Sequence, residues 1–248
     1  SAWTMPITSR EPLMLIAGFP AGPFGTNCWI LAPGPRSEAV IIDPGMDSQR
    51  GIEQVVSEHG LHPVAVVLTH GHLDHMWSVL PVSDGYDIPA WIHPGDRALL
   101  ADPWAGVSGE TRAMFASVVG ATDFAEPSDV RELSDGASLE IAGMTFTADH
   151  APGHTPGSTA FRMLDTGAEP LMLSGDLLFA GAIGRTDLPG GDHAAMLDSL
   201  ARVVLAQPDD MLVLPGHGET TTIGAERRIN PFLQGLTPPG DGRPGAGA

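Results

Sequence analysis

The sequence predicts an α/β or mixed layered fold, on two patterns. Short apolar runs of strand length recur along the chain, and stretches of helix length lie between several of them. Many of these runs also end in glycine, proline and polar side chains, so the polar clusters collect at strand ends.

In chain order the predicted strands are LMLIA (13–17), CWILA (28–32), AVIID (39–43), VAVVLT (64–69), AWIH (90–93), MTFTAD (144–149), STAFRML (158–164), LMLS (171–174) and MLVLP (211–215). DSQRGIEQVVSEHG (47–60) reads as a helix because an Asp opens it and a Gly closes it. HMWSVLPVS (75–83), PGDRALLA (94–101), DHAAMLDSLARVVLA (192–206) and TTIGAERRI (221–229) are the other predicted helices. Residues 102–131 carry few strand signals. With Trp104, Met114, Phe115 and Phe124 they form either a helical insertion over a pocket or a surface helix with its own apolar face. Residues 1–12 are expected to be a flexible arm, 13–236 a single domain, and 237–248 (TPPGDGRPGAGA) a disordered tail rich in proline and glycine.

Composition narrows the function. The formal charge is −18, and all twelve basic residues are arginine. Such a net anion repels nucleic-acid phosphates and anionic membranes, so neither is expected as a partner. With no lysine there is no phosphate-cradling Walker loop, Schiff-base amine or Ser–Lys dyad. The single cysteine, Cys28, excludes an internal disulfide and a thiolate zinc cage, and its place in TNCWIL reads as a small buried hydrophobe. No apolar run reaches membrane-spanning length and residues 1–12 do not read as a signal peptide, so a cytoplasmic protein is expected.

The polar clusters carry the chemistry. VAVVLT runs into His70-Gly-His72-Leu-Asp74-His75, TFTAD into a segment ending at His154, LMLSG into Asp176, and MLVLPG into His217. Histidines two apart on an extended segment point to one side, so His70 and His72 can grip one ion. Asp74 and His75 follow as the chain turns into a helix and can grip a second. Imidazole and carboxylate without thiolate suit zinc, iron or manganese. Seven donors exceed the four of a closed zinc site, which points to two divalent ions sharing a carboxylate. The alternative, histidines that merely cap helices, suits His59, His62, His93 and His193 better than this run.

THGHLDH, APGHTPGS, SGDLLF, GRTDLPGGD and PGHGETTTIGAERRINPFL together resemble the metallo-β-lactamase superfamily, and within it the glyoxalase II (hydroxyacylglutathione hydrolase-like) group. The resemblance runs from Leu13 to Leu236. It implies a four-layer αβ/βα sandwich with a binuclear centre at one edge of two sheets. By that resemblance His70, His72 and His154 hold one metal, Asp74, His75 and His217 hold the other, and Asp176 bridges them. Zinc is the expected metal, with iron or manganese as alternatives. Asp43, in AVIIDPG, matches an aspartate that supports the metal loops rather than binding metal. The implied reaction is thioester hydrolysis of an S-2-hydroxyacyl thiol by a metal-bridged hydroxide, with Asp74 also orienting that hydroxide.

The sequence departs from glyoxalase II in several places. Gly218–Ala248 follows His217, so the resemblance implies a compact form without that enzyme's C-terminal helical domain. Without lysine, and with Tyr86 as the one tyrosine, the usual recognition of glutathione is not expected. Arg185 could meet an anionic substrate group, but a pair with Asp187 is the favoured expectation. Arg227 and Arg228 are expected on a solvated helix face or paired with Glu226. His150 could support His154. The competing reading is a mononuclear-iron persulfide dioxygenase of the same fold, similar in PGHTPG, GRTD and the E-R-x-x-N-P ending.

Overall fold

The computed structural model of the chain describes residues 3–4, 14–118 and 123–238. One sheet holds β1 (Trp3–Thr4), β2 (Leu15–Ala21), β3 (Thr26–Ala32), β4 (Glu38–Ile42), β5 (His62–Val67), β6 (Ala90–Ile92) and β7 (Val130–Glu132) in that spatial order. Pairings from β1 to β4 are antiparallel and those from β4 to β7 parallel. The second sheet runs β8 (Ser138–Ile141), β9 (Met144–His150), β10 (Thr159–Met163), β11 (Leu171–Gly175), β12 (Leu212–Pro215) and β13 (Thr221–Thr222), with only β11 and β12 parallel.

The inner strands of each sheet are covered on both faces, which is why they read as largely apolar runs, whereas β8 and β9 alternate buried and more exposed residues. In β3, Cys28 and Ile30 face one apolar cluster while Trp29 and Leu31 face another. The second cluster lies between the sheets, where Trp29, Leu31, Val40 and Ile42 meet Phe146, Phe161, Leu173 and Leu214. Outside the first sheet, α1 (Gln49–His59) and α3 (Val79–Tyr86) bury Ile52, Val55, Val79 and Val82. Outside the second, α5 (His193–Ser199), the π-helical turn Leu200–Val204 and α6 (Ile223–Ile229) bury Met196, Leu200, Val203 and Ile223 against Met172 and Val213. The result is the four-layer helix–sheet–sheet–helix sandwich. Cys28 is buried in the first layer's core, as its strand context implies.

Several elements depart from the sequence reading. The helix expected over 75–83 is two: α2 (Leu73–Met76) and α3. They part at Ser78, whose Oγ donates to the Gly45 carbonyl (2.8 Å) while its N–H donates to that of Pro44. Pro81 then falls in the first turn of α3, where its missing N–H costs nothing. PGDRALLA forms one 3-10 turn, Arg97–Leu100. Trp3–Thr4, inside the expected arm, pairs with Gly18 and Ala17. The rest of that arm except residues 3–4, and residues 239–248 of the expected tail, lie outside the described residues. Strands β7 and β8 escaped the sequence reading. The β8–β9 hairpin turns at Ala142 and Gly143, both with positive φ (55° and 70°). A two-residue turn of this kind is normally announced by Asn-Gly or Asp-Gly, and Ala-Gly does not announce it. In the 102–131 segment, α4 (Gly109–Val118) and the 3-10 turn Pro103–Gly106 are helical.

Candidate metal centre

The parallel strands β4, β5, β11 and β12 end at one edge, and the residues just past them form the centre. Asp43 follows β4, and His70 and His72 lie beyond β5. Asp74 and His75 occupy the first turns of α2; His154 lies beyond β9, Asp176 follows β11, and His217 lies beyond β12. The two sheets are tied together here. The Thr159 N–H donates to the Thr69 carbonyl (2.8 Å), and the Asn27 N–H to that of Gly216 (2.7 Å).

All seven residues named from the sequence converge. His70, His72 and His154 place ligating nitrogens within 4.8 Å of one another, and so do the donor atoms of Asp74, His75 and His217. Between the sets lies Asp176, its Oδ1 3.2 Å from His75 Nε2 and its Oδ2 3.3 Å from His154 Nε2 and 3.6 Å from His217 Nε2. Gly216 permits this closeness: a methyl group there would lie 2.3 Å from Asp176 Oδ1 and 2.7 Å from His75 Cε1.

The hydrogen bonds around the histidines orient their free nitrogens inward. His154 Nδ1 donates to the Arg185 carbonyl (2.7 Å), and His75 Nδ1 to Asp43 Oδ2 (2.9 Å). Thr69 Oγ1 donates to Asp43 Oδ2 (2.6 Å) and so accepts from His70 Nδ1 (3.0 Å). Each arrangement leaves Nε2 with its lone pair toward the centre. His72 faces His154 through Nδ1, 2.8 Å from His154 Nε2, while His70 Nε2 and Asp176 Oδ1 are buried with no hydrogen-bond partner. Native buried polar atoms are rarely left so, and two of them in a cluster of imidazoles and carboxylates fit divalent cations. Asp43, His70 and His75 also lie close enough to form a ligand group. Both Asp43 oxygens are nevertheless taken, Oδ1 by the Thr69 N–H (2.8 Å) and Oδ2 by Thr69 Oγ1 and His75 Nδ1, so Asp43 supports rather than ligates.

The electrostatics differ between the sets. Burial pulls the His70 pKa well below its usual value, helped by His75 and His154. Burial and then His154 lower His72 to about 3. For His75, burial is outweighed by the charges of Asp176 and Asp74, and the pKa rises well above the usual value. His217 is raised despite its burial, by its bond to Asp74 and the charge of Asp176. Burial opposes ionisation of both carboxylates, yet His75 and His217 hold Asp74 far below the carboxylate range, and His75 holds Asp176 at about 2.

A cleft of about 400 Å³ opens onto the centre. Phe24, Leu73, Val107, Phe179 and Leu188 give it apolar walls, and Thr111 and Arg185 add polar ones. Val107 and Thr111 bring the 102–131 segment over this cleft; the side chains of Met114 and Phe115 lie outside the described ones. Arg185 pairs with Asp187 (2.6 and 2.8 Å), as expected from sequence. Of the two expectations for Arg227 and Arg228, exposed Arg228 fits the solvated helix face, and no pair with Glu226 occurs among the described residues. Arg227 instead binds Asp209 and the carbonyls of Leu205 and Gln207. Buried Glu226 accepts from Thr221, Gly181 and Asn230. His150 donates to the Pro156 carbonyl (2.8 Å) and stacks on His93.

The sequence reading missed Thr26, whose Oγ1 donates to Asp74 Oδ2 (2.7 Å), and Asn27, whose amide holds the carbonyls of Pro215 and Gly218 beside His217. Both sit in TNCWIL, which carries only a strand signal. It also missed Thr69 and Asp96, whose partners are remote in sequence.

The comparisons agree with this geometry. The model of the metallo-beta-lactamase superfamily matches residues 21–217. An uncharacterised protein of Mycobacterium tuberculosis (strain H37Rv) is 45% identical, over 90% of this chain and 100% of its own length. The probable metallo-hydrolase YqgX of Bacillus subtilis is 36% identical, over 88% of this chain and 97% of its own. Hydroxyacylglutathione hydrolase GloC of Haemophilus influenzae is 33% identical, over 89% and 98%. Among crystal structures, BLEG-1 B3 metallo-beta-lactamase is 38% identical with a TM-score of 0.76, over 88% of this chain and 99% of that one. TTHA1623 in a di-iron-bound form is 36% identical with a TM-score of 0.69, over 90% and 100%. ETHE1 from Myxococcus xanthus is 25% identical with a TM-score of 0.65, over 84% and 79%. The chain therefore belongs to the metallo-β-lactamase superfamily and is a metal-dependent hydrolase of that superfamily, with glyoxalase II-like and metallo-hydrolase relatives.

Proposed function

We propose that the protein is a binuclear metallo-hydrolase that cleaves the thioester of an S-2-hydroxyacyl thiol. The observation that carries this reading is the place of Asp176, whose carboxylate lies 3.2–3.6 Å from ring nitrogens of both three-donor sets. In this reading His70, His72 and His154 hold one cation, Asp74, His75 and His217 hold the other, and Asp176 bridges them. Zinc suits these donors, and so do iron and manganese; the di-iron form of TTHA1623 supports the wider choice. Cations bound there supply a water acidified toward neutral pH and a Lewis acid for the carbonyl oxygen.

The chain's own residues do the remainder. Thr26 fixes the rotation of Asp74 through Oδ2. The other oxygen can then accept a hydrogen bond from the attacking water and aim it. The apolar walls of the cleft exclude bulk water, which strengthens the polar interactions inside. The leaving thiol, with a pKa of about 8.5, departs as thiolate without a strong general acid. The name of the Haemophilus influenzae relative, a hydroxyacylglutathione hydrolase, supports the acyl class. The charge of −18 supports a small-molecule partner over nucleic acid or an anionic membrane, and no helix among the described residues is long and apolar enough to cross a membrane.

Elemental analysis of purified protein, followed by hydrolysis assays on S-2-hydroxyacyl esters of glutathione and of other small thiols, tests the reading. About two metals per chain with thioester cleavage is the expected result. One iron per chain with oxygen uptake on a persulfide would replace it with the dioxygenase reading.

A further inference from the structure

Asp96 is a fully buried carboxylate with no ion-pair partner among the described residues. The neighbouring Arg97 turns outward to Glu126 and Glu132. Three donors meet Asp96 instead, and all come from the loops that bear histidines of the centre. Its Oδ2 accepts from the Gly71 N–H (2.8 Å) and from Thr155 Oγ1 (2.6 Å), and its Oδ1 accepts from the Gly157 N–H (2.7 Å). Gly71 lies between His70 and His72, and Thr155 follows His154. The loops close on Asp96 without slack, since a methyl group at Gly157 would lie 2.6 Å from Asp96 Cγ.

Removing a carboxylate from water is costly, and hydrogen bonds from both loops offset that cost only when both loops are in place. We propose that Asp96 is a positioning residue. It clamps the His70–His72 loop to the His154 loop, and so sets the spacing of the three-histidine set. Its side chain has no recorded contact with Asp74, His75 or His217. Asp43, by contrast, holds His75 directly and His70 through Thr69. Metal affinity at the three-histidine set therefore depends on Asp96, while affinity at the other set does not. This inference rests on the metal assignment proposed above.

The test is a zinc titration of the metal-free protein followed by the ring-nitrogen NMR shifts of its histidines. His70, His72 and His154 report one set, and His75 and His217 the other. Asp96→Asn keeps the shape but turns one acceptor into a donor facing a donor. The expected result is a loss of about 10–100-fold in zinc affinity reported by the first three rings, the range typical of groups that orient metal ligands. The other two rings should move by less than about threefold. Thr155→Val should reproduce part of this loss and Thr155→Ser should restore it, which decides the matter if Asp96→Asn fails to fold. Unchanged affinity at the first set, or equal losses at both, would overturn the proposal. Wild-type protein whose first three rings do not respond to zinc would overturn the metal assignment itself, and this inference with it.

Discussion

The two halves of the centre are built from different materials. Although His72 and His154 still touch the cleft, the three-histidine set is the more deeply buried, with His70, His72 and His154 at 1%, 4% and 3% exposure. It is all imidazole, and burial keeps His70 and His72 neutral. The Asp74–His75–His217 set borders the cleft: the side chains of Asp74 and His217 are 22% and 28% exposed. There the carboxylates raise the pKa of both histidines, which favours their protonated forms. In the proposed reading, neutral His70 and His72 would take a cation without giving up a proton, whereas His75 and His217 would exchange protons for one. The difference teaches that equal donor counts do not make equal sites.

Removing Asp176 should erase the distinction altogether. Asp176→Ala is expected to leave at most one metal by elemental analysis. Thioester hydrolysis should fall by at least the roughly 10²–10³-fold seen when one preorganised electrostatic group is lost. Gly216→Ala pushes a methyl group between the halves, against Asp176 Oδ1 and His75 Cε1. Overpacking of this kind costs about 1–3 kcal/mol, so thermal unfolding should shift downward and metal content should drop.

Asp43→Asn separates support from ligation. Asp43 has φ 49°, a conformation Asn tolerates, so the backbone should persist. Metal affinity is expected to fall about 10–100-fold at the set that contains His75, measured by competition with a chelator. Ligation by Asp43 would instead show as loss of a whole metal equivalent.

Thr26→Val removes only the hydrogen bond to Asp74 Oδ2. A bond to a charged acceptor is worth about 1.5–3 kcal/mol, so kcat should fall roughly tenfold or more with little change at the three-histidine set. The smallest effect concerns pH. Raised pKa values on His75 and His217 mean that these rings keep their protons to higher pH, so protons compete there as pH falls through the neutral range. His72, near 3, meets no such competition until strongly acidic solution. Zinc affinity measured at about pH 8 and about pH 6 should therefore weaken more at the Asp74–His75–His217 set. An equal slope at both sets would break the contrast.

Much of the layered fold was legible because a strand covered on both faces must be largely apolar, and the buried stretches of β3, β4, β5, β11 and β12 are. The seven donors were legible because glycine- and proline-flanked polar residues directly follow such strands. The Ala142–Gly143 hairpin was not, since its backbone conformation is imposed by the strands it joins rather than by turn residues.

By itself the sequence determined which side chains could bind metal and that they lie at strand ends, because both are local patterns of residue type and spacing. Only the tertiary structure decided that Asp176 reaches both sets, that Asp43 bonds His75 directly and His70 through Thr69, and that Asp96 joins two loops. Those contacts link residues 22 to 101 positions apart, or depend on which ring nitrogen faces inward. Such pairings arise from sheet order and packing, and no local pattern in the chain encodes them.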